Sequence, residues 1–196
     1  TTSRSLRASF EHVFRIRNIW LLAVAMIGIG GASQGSLGYL PLYLRDLGWR
    51  AAAAAAALAT FHATSMIFTI PIAVLSDRLG QRRKILLVSA ILTTVGFGLL
   101  TFVQGTAIWL AVIIAGITRD GFMAVLLTTV VEVRGVGPRI AGTATGFMMA
   151  LSFASRTLSP PVGNSMAAMD PGAPFLLWSG LALVGFIGFW LIRDIR

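Results

Sequence analysis

Ile72-Ala73-Val74-Leu75-Ser76-Asp77-Arg78-Leu79-Gly80-Gln81-Arg82-Arg83-Lys84-Ile85-Leu86-Leu87 decides the fold. An unbroken apolar run gives way at Asp77 to a short, strongly charged segment, and from Ile85 the sequence is apolar again. A soluble helix pair would keep one polar face along its whole length. Here the polar residues are confined to the break, as expected of a chain that leaves a bilayer and re-enters it. A helical crossing needs about 20 mostly apolar residues. Working outward from this loop, runs of that length fall at about 19–43, 52–76, 85–104, 107–131, 140–166 and 174–192. Leu47-Gly48-Trp49-Arg50, Gln104-Gly105, Gly135-Val136-Gly137-Pro138 and Asp170-Pro171-Gly172 supply the turns between them. The expected fold is therefore an all-α membrane protein of six transmembrane helices. Runs this long do not alternate with period two, so a closed barrel is not the reading.

Composition agrees. Hydrophobic residues make up 56% of the 196 and charged residues only 12%, against about 25% charged in soluble chains. Mean hydropathy is +0.83. The net charge of +9 is not a nucleic-acid surface, because the basic residues are separated by long apolar runs. Zero cysteines exclude a disulfide framework, a thiol nucleophile and Cys-ligated zinc. Two histidines and seven carboxylates leave little for a metal site, and no cofactor is expected.

The basic residues set the topology. Arg4, Arg7, Arg15 and Arg17 precede the first run, and Arg78, Arg82, Arg83 and Lys84 follow the second. Arg134 and Arg139 follow the fourth, and Arg193 and Arg196 end the chain. These are 12 of the 16 basic residues; Arg45 and Arg50 lie on the opposite side, and Arg119 and Arg156 lie within spans. The positive-inside rule makes both termini cytoplasmic, as an even number of crossings also requires. The first run is too long for a signal-peptide core and further spans follow it, so it reads as a crossing. Residues 1–17, polar and arginine-rich, read as a cytoplasmic linker or tail, with the six-helix domain at 18–196. The alanine tract 51–57 favours helix but carries no recognition information.

Polar residues inside a span are costly and ask for a partner or a purpose. They concentrate in the first span (Ser33, Gln34), the second (His62), the fourth (Arg119, Asp120) and the fifth (Arg156, Ser159, Asn164). The third and sixth offer little beyond Ser and Thr and are expected to face lipid. Gln34, His62, Arg119 and Arg156 all lie about 20–22 Å from the cytoplasmic end of their spans at about 1.5 Å per residue. Four polar groups in one layer on four helices imply a shared cavity. Arg119 and Asp120 can pair locally, but Arg156 has no carboxylate within its own helical turn. Each also has a plain structural reading: a charge pair for Arg119 and Asp120, hydrogen-bonded packing for His62, helix-helix glue for Gln34. Gly31-Ala32-Ser33-Gln34-Gly35 and Gly142-Thr143-Ala144-Thr145-Gly146 fit G-x-x-x-G, whose default meaning is close helix packing. The first also fits G-x-S-x-G, so an intramembrane serine hydrolase using Ser33 and His62 stands as a remote alternative.

The stretch from Ala73 to Lys84 resembles the signature loop of the major facilitator superfamily of secondary transporters, G-x-x-x-D-R-x-G-R-K/R-K/R, placed between the second and third helices of a six-helix half. Asp77, Arg78, Gly80, Arg82 and Arg83 match, while Ala73 and Gln81 depart from the pattern. Glu132-Val133-Arg134, followed by Gly142-Thr143-Ala144-Thr145-Gly146-Phe147, resembles a second family turn between the fourth and fifth helices. The resemblance covers essentially the whole chain. It implies one half of a twelve-helix unit, the C-terminal one, built as an inverted 3+3 repeat. The partner would then be an N-terminal half or a second copy of this chain. It further implies a conformational latch formed by Asp77, Arg78, Gly80, Arg82, Arg83, Glu132 and Arg134, and a central cavity lined by the first, second, fourth and fifth helices. The expected function is transport of a small solute across the cell (inner) membrane by alternating access. Arg119 and Arg156 against Asp120 leave one surplus positive charge, favouring an anion or carboxylate. Arg119, Arg156, Gln34 and Asn164 are the expected solute ligands, and Asp120 and His62 the candidates for proton coupling. A proton-coupled exporter of drugs or other amphiphiles is the alternative within the same fold.

Overall fold

A computed structural model of the chain describes residues 6–192. Arg4, Arg193 and Arg196, which entered the topology argument, lie outside the described residues. The elements are all helices: α1 (Leu6–Phe14), α2 (Arg17–Asp46), α3 (Ala51–Leu79), α4 (Arg82–Phe102), α5 (Ala107–Gly116), α6 (Arg119–Glu132), α7 (Gly137–Met166) and α8 (Ala173–Leu191). Taking α5 and α6 as one interrupted span, the six expected runs are recovered, mostly lengthened by a few residues. Five of the six are long and apolar enough to cross a membrane: α2, α3, α4, the α5–α6 unit and α8. The sixth, α7, has the length, but Arg139, Arg156, Asn164 and a series of Ser and Thr residues dilute its apolar character. Pro160 and Pro161 sit inside α7 without ending it. A helix packed among others tolerates this where its neighbours supply the missing backbone partners.

Two features depart from the sequence reading. The N-terminal segment, read as a polar tail, forms the short amphipathic helix α1. A nine-residue helix is marginal alone; this one is docked, with His12 Nε2 at 2.9 Å from the Gly135 carbonyl oxygen in the α6–α7 turn. Trp20 Nε1 donates to the Phe14 carbonyl at 2.9 Å, and the Phe14, Trp20 and Phe147 rings lie within 6 Å of one another. The fourth span is also interrupted, at Ile117 and Thr118. There the Asp120 N–H donates to Ser65 Oγ of α3 at 3.0 Å.

The most buried span is α2, packed chiefly on α7 and α8. In lipid there is no hydrophobic drive between helices, so close approach and interhelical hydrogen bonds must hold them. Ser152, Ser155 and Ser159 stand on one face of α7, and their hydroxyls donate to the Met26, Ile27 and Gly31 carbonyls of α2 at 3.1, 2.9 and 2.7 Å. Each such bond contributes about 0.6 kcal/mol. Trp178 of α8 is fully buried and lies against Gly35 of α2 and Gly163 of α7, where any Cβ would overlap its indole. Its Nε1 donates to the Ser159 carbonyl at 3.3 Å. Gly31 and Gly35 thus serve close packing as expected. Gly142 and Gly146 do not: a Cβ on either would meet nothing within 4 Å. Ser179 Oγ donates to the Thr94 carbonyl at 2.8 Å and fastens α8 to α4. The least buried span is α3, which exposes Met66, Ile67 and Ile70.

Candidate functional site

A cavity of about 130 Å³ opens between α2, α6 and α7, lined by Met26, Gly30, Ser33, Gln34, Arg119, Asp120, Met123 and Arg156 among others. The turn between α5 and α6 builds one wall. With the Asp120 amide bound to Ser65, α6 begins afresh at Arg119, and Asp120 falls in its first turn, where the helix dipole favours a carboxylate. Arg119 Nη1 donates to Asp120 Oδ1 at 2.7 Å, so these two charges compensate each other inside the cavity.

Arg156 has no such compensation. Among the described residues it belongs to no ion pair, and its Nε is buried without a hydrogen-bond partner. Its guanidinium lies 5.9 Å from the centre of the Phe153 ring, a weak cation–π contact. The side chain fits because α2 has a glycine opposite it. A Cβ on Gly30 would stand 2.6 Å from Ser152 Oγ and 3.0 Å from Arg156 Nε. The cavity therefore holds two guanidinium groups and one carboxylate, with Gln34 and Ser33 as neutral hydrogen-bonding groups.

The structure gathers Gln34, Arg119, Asp120 and Arg156, and leaves His62 and Asn164 apart. On α3 the buried side comprises Ala54, Ala57, Phe61, Thr64 and Ser65, and His62 falls outside it. Its exposed ring stands edge-on to Phe61 at 5.4 Å. Equal depth placed His62 in the layer, but depth carries no information about azimuth. Asn164 is exposed and lies eight residues beyond Arg156, about 12 Å along α7. Consequently α2, α6 and α7 wall the cavity, α3 contributes no lining residue, and neither α4 nor α8 does. Sequence reading missed Met26, Met123 and Phe122, which look like ordinary apolar helix residues, and did not connect Gly30 with Arg156.

The charged loop between α3 and α4 forms a second cluster. Gly80 ends α3 at φ 59°, the left-handed conformation that favours glycine. Arg82 then stands between two carboxylates, with Nη2 3.2 Å from Glu132 Oε1 and 3.6 Å from Asp77 Oδ1. The second Glu132 oxygen is buried with no hydrogen-bond partner. Arg83, expected in the same cluster, turns elsewhere: its guanidinium donates to the Phe189 and Trp190 carbonyls at the end of α8. Cations suit helix C-termini, where free carbonyls and the dipole both attract them. Arg78 and Arg134 are exposed. The G-x-S-x-G match is not a nucleophile elbow, since Gly31 to Gly35 lie inside the continuous helix α2 and the elbow needs a strand-turn-helix.

Five helices long and apolar enough to cross a bilayer are the architecture of a multi-pass integral membrane protein, here with a charged cavity between its helices. A sequence model of the Major Facilitator Superfamily matches residues 22–196. The chain belongs to that family of membrane transporters. The comparison with curated proteins finds no match.

Proposed function

We propose that the protein moves a small anion of carboxylate type by alternating access, with Arg156 and Arg119 as its ligands. The observation that supports this most strongly is the unpaired Arg156 guanidinium in a cavity whose other cation is already balanced. A guanidinium offers planar, paired donors that match a carboxylate, and an uncompensated charge within a span is expensive unless a ligand or solvent balances it. Gln34 and Ser33 add hydrogen bonds from α2. Asp120 carries the proton coupling, because it shares the cavity with both arginines and His62 does not. Arg82, Asp77 and Glu132 act as the cytoplasmic latch, a charge cluster made in one state and broken in the other. In this reading α7 is the sixth crossing, the six spans form a 3+3 repeat, and both termini are cytoplasmic. The exposed apolar residues of α3 meet a second six-helix half or a second copy. Uptake measured in proteoliposomes tests the proposal. Arg119→Lys and Arg156→Lys should each weaken apparent affinity for an anionic solute, Arg156→Lys by tenfold or more; undiminished affinity in both would overturn it.

A further inference from the structure

The cavity does not end at Arg156. A second chamber of about 110 Å³ adjoins it, lined by Met26, Met123, Met149, Ser152, Phe153 and Arg156. Met26, Met123 and Arg156 belong to both walls, so the two spaces are neighbours with the guanidinium between them. The second chamber contains no carboxylate, and its one hydroxyl, Ser152 Oγ, already donates to the Met26 carbonyl at 3.1 Å. Apart from Arg156 itself, a polar group entering it would find little to bond. Three methionines and a phenylalanine offer the reverse, an adaptable apolar surface. On the other side of Arg156, the pairing of Arg119 with Asp120 leaves one net positive charge in the first cavity.

We propose, resting on the anion reading above, that the solute is a monoanion with a short apolar tail, its anionic group on Arg156 and its tail among Met26, Met123, Met149 and Phe153. One net cation matches one negative charge; a second carboxylate would have to be buried among methionines. The chamber limits the tail to about three or four methylenes, taking roughly the 30 Å³ that a water molecule occupies for each.

Binding of straight-chain carboxylates to the protein in lipid nanodiscs, corrected for partition into empty nanodiscs, tests this. From acetate to about pentanoate or hexanoate, affinity should rise about fourfold per methylene, the transfer free energy of one buried CH₂. It should then level off as the chamber fills, and glutarate should bind at least tenfold more weakly than pentanoate. Met149→Gln and Met123→Gln should flatten the chain-length dependence. If carboxylates bind without dependence on tail length, or glutarate equals pentanoate, the tail assignment is overturned and the anion reading stands. If no carboxylate binds, or alkylamines of equal length bind as well, the anion reading fails and takes this inference with it.

Discussion

Replacing Gly30 with alanine adds one methyl group at the contact between α2 and α7, and its consequences for folding and for binding should separate. The new Cβ would stand 2.6 Å from Ser152 Oγ and 3.0 Å from Arg156 Nε, both too close to be accommodated without movement. Ser152 can rotate away at the cost of its 3.1 Å bond to the Met26 carbonyl, about 0.6 kcal/mol for an interhelical bond in a membrane. Alanine regains about 1 kcal/mol of helix propensity over glycine. The two nearly cancel, so the melting temperature should move by no more than about 2–4 °C. The guanidinium, however, is pushed from its seat. A hydrogen bond to a charged group contributes about 1.5–3 kcal/mol, so anion affinity should fall about tenfold to a hundredfold. Gly38→Ala is the control, since a Cβ there meets nothing within 4 Å on the same helix. Titration of a carboxylate into both variants, alongside thermal unfolding, reads the two effects. If the Gly30 variant stays folded and binds as tightly as the Gly38 variant, seating Arg156 against Gly30 has no part in recognition.

Other substitutions separate the remaining roles. Arg82→Gln removes both ion pairs made by Arg82; at about 0.2–1 kcal/mol for each pair it should shift the conformational equilibrium by about twofold to thirtyfold. Because the chain has no cysteine, the labelling rate of a single cysteine introduced at Ser33 reports that shift, and an unchanged rate would contradict the latch. Arg83→Ala should cost about 2 kcal/mol through the lost α8 carbonyl bonds and lower the melting temperature by about 4–8 °C without changing solute affinity. A stable variant with altered affinity would return Arg83 to the functional cluster. Asp120→Asn frees Arg119, so dicarboxylates should gain on monocarboxylates in competition binding; an unaltered ranking would mean that Asp120 does not balance Arg119 for the solute.

The all-helical class and the positions of the long apolar runs were legible because the membrane imposes a length and an apolarity that the chain must display. The charged loop after Leu75 needed no tertiary information either. Azimuth was not legible. His62, Gln34, Arg119 and Arg156 share a depth, but rotation about each axis is set by packing, which places the exposed Gln34 on the cavity wall and the equally exposed His62 away from it. The two G-x-x-x-G stretches read alike, yet Gly31 and Gly35 meet Ser155 and Trp178 while Gly142 and Gly146 face open space. Arg83 was grouped with Glu132 because the resemblance assigns the whole charged loop to one latch, but the carbonyls at the end of α8, which it meets, carry no side-chain signature. The interruption at Thr118 was not legible because Gly116 and Gly121 beside it look like the other glycines inside these spans; Ser65 on a neighbouring helix makes it possible. Helix α1 was missed because its nine residues are held by docking onto the Gly135 turn.

The central claim is that the uncompensated charge of Arg156 selects an anion. Calorimetric titration of the protein in lipid nanodiscs with butyrate, butyramide and butylamine, three probes matched in length and differing in charge, tests it most directly. Butyrate should bind at least tenfold more tightly than the other two, and Arg156→Gln should abolish that preference. Equal binding of the three, or a preference that survives Arg156→Gln in a folded protein, would contradict the account.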